Sequence, residues 1–144
     1  MKIYFDMDGT IADFYGVENW VSCLNNEDVT PYVVARPLVN MSHLARLLHL
    51  AQSKGHEICI ISWTSRSGSA EFCKRIRAAK LQWLSVHLRS VRFDSVEIVP
   101  YGTPKHEGRE GILFDDEALN RMNWGAGAYE PREIFDVLKS LLGA

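Results

Sequence analysis

The run Glu57-Ile58-Cys59-Ile60-Ile61-Ser62 constrains the fold most, because it is apolar at every interior position rather than at alternate ones. A strand with one wet face alternates, whereas a strand covered on both faces reads as a continuous apolar run. Lys2 to Asp6 and Gly111 to Asp115 are shorter runs of the same kind, and Val96 to Val99 reads as a further strand. Helical periodicity falls between them. Met41, Leu44, Leu48 and Ala51 recur at helical spacing over Val39 to Lys54 before Gly55, and Phe72, Ile76, Ala79, Trp83 and Val86 form a stripe over Ser69 to Leu88. A last helix opens at Pro131 and carries Ile134, Phe135, Leu138 and Leu141. Strands alternating with crossover helices predict an α/β fold: three layers, Rossmann-like, with a mainly parallel sheet.

In such sheets ligands gather at the carboxyl ends of the strands, so the residues ending each strand carry the chemistry. The first strand ends in Asp6-Met7-Asp8-Gly9-Thr10, the second in Ser62, and the fourth in Asp115-Asp116. The third runs into a loop holding Lys105 between Pro104 and His106. Residues i and i+2 of an extended segment share a face, so Asp6 and Asp8 can converge on one cation or phosphoryl group. Asp-x-Asp-Gly also opens calcium loops, but here Ile11 and Ala12 follow, and no twelve-residue loop ends in a glutamate. A plain turn after an edge strand is the other alternative.

The ordered set resembles the four motifs of the haloacid dehalogenase-like (HAD) hydrolases: Asp6-Met7-Asp8-Gly9-Thr10, a strand ending in Ser62, then Lys105, then Asp115-Asp116. The resemblance spans Met1 to about Leu142. It implies a magnesium-dependent phosphatase that hydrolyses phosphate monoesters through an aspartyl-phosphate. By resemblance Asp6 is the nucleophile, and Asp8 protonates the leaving alcohol and then deprotonates water. The dehalogenases of the family lack an acid two residues after the nucleophile, so Asp8 favours phosphate chemistry. Magnesium (Mg2+) prefers hard oxygen ligands, which the resemblance assigns to Asp6, the backbone carbonyl of Asp8, and the Asp115-Asp116 pair. Asp116 is favoured as the direct ligand, because Asp116-x-x-x-Asn120 resembles the family's spacing, with Asp115 orienting waters or the loop. A helix-cap or surface-turn role is the other reading of that pair.

Ser62, with the backbone beyond it at Trp63, fits the phosphate-holding motif, and Thr64 is a substitute if the strand extends. Lys105 is preferred as the motif lysine over Lys74 and Lys80, both expected to face water from the second helix, while His106 reads as a surface residue. A phosphomutase, another phosphotransferase, and a non-catalytic phospho-ligand-binding protein are the alternatives on the same scaffold.

The 144 residues suit a single domain, with residues 13–37 as a short cap insertion. Its Phe14, Tyr15, Trp20 and Tyr32 either stack on a ligand or form the cap's own core. Asp115-Asp116, Asn120 and Trp124 weakly resemble the 5'(3')-deoxyribonucleotidase-like branch, which makes a small phosphorylated substrate, including a nucleotide, the expected partner. The short cap departs from that branch and would also admit a phosphorylated macromolecule. A net charge of −2 excludes an obvious polyanion binder, and the basic residues of the second helix read as a solvated face. Cys23, Cys59 and Cys73 lack zinc spacings and suit reduced thiols. With no membrane-length apolar stretch and no targeting segment, the expectation is a cytoplasmic protein.

Overall fold

The computed structural model describes residues 1–144. Five parallel strands form one sheet in the order β3-β2-β1-β4-β5: β1 (Lys2–Phe5), β2 (Glu57–Trp63), β3 (Ser95–Val99), β4 (Ile112–Phe114) and β5 (Ala128–Tyr129). The Rossmann-like α/β expectation is met. β2 lies between β1 and β3, and its residues 58–62 are all buried.

Six α-helices accompany the sheet: α1 (Trp20–Asn25), α2 (Thr30–Val34), α3 (Met41–Ser53), α4 (Ala70–His87), α5 (Ala118–Trp124) and α6 (Ile134–Leu142), the last entered through a 3-10 turn at Pro131–Glu133. Side-chain caps start the two longest, since Asn40 accepts from the His43 N–H and Ser69 from the Phe72 N–H. Right-handed crossovers fix the layers. The chain steps outward from β1 through α3 to β2 and through α4 to β3, then reverses direction from β4 through α5 to β5, so α5 falls on the opposite face. Alternation within the strands matches this division. Ile3, Phe5, Ile58, Ile60 and Phe114 join the large core with Leu44 and Leu48 of α3, Trp83 and Leu84 of α4, and Ile134 and Leu138 of α6. Tyr4, Cys59, Ile61 and Leu113 form a smaller cluster against Trp124 of α5.

The β3–β4 connection contains no helix. Arg109 organises it instead, paired through two nitrogens to Glu97 of β3 at 2.8 and 3.0 Å and donating to the carbonyls of Pro104, Lys105 and Glu107. Residues 13–37 contribute only α1 and α2. Phe14 and Tyr32 are buried against Phe72, Ile76 and Ala79 of α4, so the insertion shares a core with the body of the domain. The three cysteines are unpaired, and no helix is long and apolar enough to cross a membrane.

Candidate active site

Strand order reverses on either side of β1, which opens a crevice beyond the carboxyl ends of β1 and its neighbours. Asp6 sits there, its N–H still bonded to the Phe114 carbonyl of β4. The backbone then winds into a single tight turn in which the N–H groups of Thr10, Ile11 and Ala12 all donate to the Met7 carbonyl. Gly9 occupies that turn at φ 78°, a left-handed conformation that favours glycine. A Cβ at Gly9 would collide with the Asp116 carboxylate, so glycine is also what lets the two loops touch. The Thr10 hydroxyl, fully buried, lies 3.1 Å from Asp6 Oδ2 and 3.3 Å from Asp116 Oδ1, and accepts from the Asp116 N–H.

Two buried lysines hold the carboxylates. Lys105, 3% exposed, donates to Asp6 Oδ1 at 3.0 Å and Asp115 Oδ2 at 2.7 Å, with its ammonium 5.1 Å from the centre of the Trp63 ring. Asp115 is completely buried, and also accepts from the Glu117 N–H and from Asn120 Nδ2. Lys80 corrects an expectation: it does not face water. It is 1% exposed and donates to Asp8 Oδ2 at 2.9 Å, Ser62 Oγ at 2.7 Å and the Trp63 carbonyl at 2.7 Å. The spacing already carried the signal, because Lys80 follows Phe72 and Ile76 at four-residue steps and therefore lies on the buried stripe of α4. Lys74 is exposed, as is His106.

Ser62 and Thr64 are both buried at the end of β2, and only Ser62 is tied to a lysine. The Trp63 indole N–H is spent on the Thr103 carbonyl, and its ring packs at a tilt against Tyr101. The Thr64 N–H points to Val99 of β3. By alternation the Trp63 N–H points the other way, towards the side where β1 has already ended.

Of these groups, Asp6, Asp8, Ser62, Thr64, Lys105 and Asn120 line a cavity of about 310 Å³. Its walls bring in Tyr15 and Trp20 of the insertion and Trp63 and Tyr101 opposite. Phe14 and Tyr32 line it too but belong mainly to the insertion's packing on α4. Arg66 is exposed at the rim. Two other α4 cations bond to backbone carbonyls: Arg75, exposed, donates to that of Glu27, and Arg77 to that of Ile98.

The electrostatics are unbalanced. When ionised, Asp6, Asp8, Asp115 and Asp116 bring four negative charges against the two of Lys80 and Lys105, a surplus of two. Burial alone would raise Asp6, but the Lys105 and Lys80 charges outweigh it and hold this carboxyl below its ordinary value. Burial, then repulsion from Asp6, pushes Asp116 up to about 8 and Asp115 up to about 6. Burial also raises Asp8, in spite of Lys80. The Lys105 ammonium would be lowered by burial, yet Asp6 and Asp115 raise it. Carboxylate oxygens of Asp6, Asp115 and Asp116 lie within 4.8 Å of one another. An oxygen-only cluster with surplus negative charge fits a hard divalent cation such as magnesium.

Neither the comparison with protein-family models nor that with curated proteins gives a match for this chain.

Proposed function

We propose that the protein is a magnesium-dependent phosphatase of the HAD-like type, hydrolysing phosphate monoesters through a phosphoryl group carried on Asp6. The observation that carries this reading is the convergence on one crevice of Asp6, Asp8, Ser62, Lys105 and the Asp115-Asp116 pair, drawn from three strand ends and one loop. Asp6, Asp115 and Asp116 would hold the cation with the Asp8 carbonyl, and bound there it would neutralise charge on the phosphoryl oxygens.

The roles follow from the protein's own groups. Asp6, kept ionised by its lysine neighbours, attacks phosphorus, and the bond from phosphorus to the ester oxygen breaks. Asp8, whose raised affinity for a proton suits an acid, delivers that proton to the departing alkoxide. Water then attacks the phosphoryl group, Asp8 takes its proton, and Asp6 is released with phosphate. Ser62 Oγ and the Trp63 N–H hold phosphoryl oxygens. Lys105 uses two of its three N–H donors on Asp6 and Asp115, leaving one for the substrate.

Nucleoside monophosphates are favoured within this class because Tyr15, Trp20, Trp63 and Tyr101 flank the cavity, and stacking of a base on an aromatic ring contributes roughly 1–3 kcal/mol. The test is phosphate release from a panel of monoesters in the presence of Mg2+, with Asp6→Asn alongside. We expect release that chelation abolishes and that Asp6→Asn lowers by at least about a thousandfold, within the range of losses for a removed nucleophile. Equal release by the variant would overturn the mechanism.

A further inference from the structure

Lys80 reaches no substrate atom in the chemistry just set out: its charge helps to keep Asp6 ionised, and it is sealed into the same site. Its ammonium has three N–H donors. All three are spent, on Asp8 Oδ2, Ser62 Oγ and the Trp63 carbonyl, and the Tyr32 ring of α2 lies 5.3 Å from it. No donor remains for a substrate oxygen, which separates Lys80 from Lys105. What Lys80 does have is a hold on two groups from different elements: a carboxylate in the loop after β1 and a hydroxyl at the end of β2.

We propose that Lys80 is a positioning residue that fixes the acid carboxylate of Asp8 relative to the phosphate-holding hydroxyl of Ser62, and so determines how well the leaving group is protonated. The proposal rests on the phosphatase reading. Asp8 lines the cavity and is 20% exposed, and Lys80 is the charged side chain that anchors it. With Oδ2 held, Oδ1 is the oxygen left to serve the departing alkoxide. Without the ammonium, the carboxylate is free to turn about its own side-chain bonds towards the open cavity, and the proton is no longer delivered in line. An error of this kind costs rate only where a proton is needed.

That dependence gives a readout that general damage to the fold would not move. A p-nitrophenolate leaves unprotonated, whereas the alkoxide of a simple alkyl phosphate must be protonated as it leaves. Lys80→Met keeps an unbranched side chain of similar length and removes the ammonium. We expect it to lower kcat/KM for the alkyl phosphate at least tenfold more than for p-nitrophenyl phosphate. In an Asp8→Asn background the same substitution should widen the gap between the two substrates by less than twofold, because the group it positions is already gone. Equal losses on both substrates, or an undiminished effect in the Asp8→Asn background, would overturn the inference. If Lys80→Met does not fold, Lys80→Gln, which retains two donors, carries the same comparison with a smaller gap. Failure of the phosphatase reading looks different: wild-type protein would then release no phosphate from either ester, and this inference would fall with it.

Discussion

Gly9 shows how much of the site depends on a single missing side chain. Its φ of 78° alone would cost an alanine about 1–2 kcal/mol, the usual penalty for the left-handed region. The larger effect lies across the loop, where the new Cβ would meet the Asp116 carboxylate and the Tyr15 ring. Asp116 is tethered there through Thr10, by a bond from its N–H to the hydroxyl and a second contact at its carboxylate. Gly9→Ala therefore cannot be relieved without moving a carboxylate of the proposed cation site. We expect this variant to remain folded, with its urea midpoint lowered by an amount equivalent to at least about 1–2 kcal/mol. The Mg2+ concentration needed for half-maximal phosphate release should rise at least tenfold. An unchanged Mg2+ requirement would show that Asp116 is not part of the cation site.

At the scale of elements, the β3–β4 connection is the weak point, because it positions Lys105 without a helix or strand. Arg109 substitutes for regular structure by joining the Glu97 carboxylate to three loop carbonyls, one of them that of Lys105 itself. Arg109→Ala should cost about 1–3 kcal/mol, as loss of a hydrogen-bonded ion pair with several partners does. It should also open the loop to proteolysis between residues 100 and 111, with a fall in phosphate release; equal resistance to protease would show that the prolines alone hold the loop. The same contrast explains what could be read in advance. β1, β2, α3, α4 and α6 announce themselves through continuous or periodic apolar positions. The two residues of β5 and the seven of α5 are too short to show a period and exist because β4 and the second sheet face give them something to pack on. The acidic residues were legible because they end strands. Lys80 was legible only through its spacing on the α4 stripe: hydropathy sends a lysine outward, and the arrival of Asp8 and Ser62 from two other elements is what makes its burial favourable.

For the whole molecule, the acidic surplus at the crevice links stability and pH to the proposed cation binding. In the unfolded chain Asp115 and Asp116 titrate near 3.8, whereas in the folded, metal-free protein burial and the Asp6 charge push them to about 6 and about 8. Between those limits the folded state keeps protons that the unfolded state has lost, so stability must fall as pH rises from about 4 to about 8. Asp8, also raised by burial, acts in the same direction. Asp6 is lowered, and its opposing contribution lies at acid pH, below the unfolded value. Lys105 is raised and keeps its proton throughout this interval. A divalent cation at the proposed site would take the place of the missing protons, so its stabilising effect should grow over the same range. With chelator present, the Tm should drop between pH 5.5 and pH 8, by about 2–4 °C for each kcal/mol lost in a chain of this size. Millimolar Mg2+ should restore most of that loss at pH 8 and change little at pH 5.5. Asp116→Asn removes the higher-titrating carboxyl of the Asp115-Asp116 pair, so it should flatten the pH profile measured with chelator and shrink the Mg2+ effect together. If scanning calorimetry finds that Asp116→Asn flattens one and leaves the other intact, protons and cation do not compete for the same carboxylates, and the oxygen cluster is not where the metal binds.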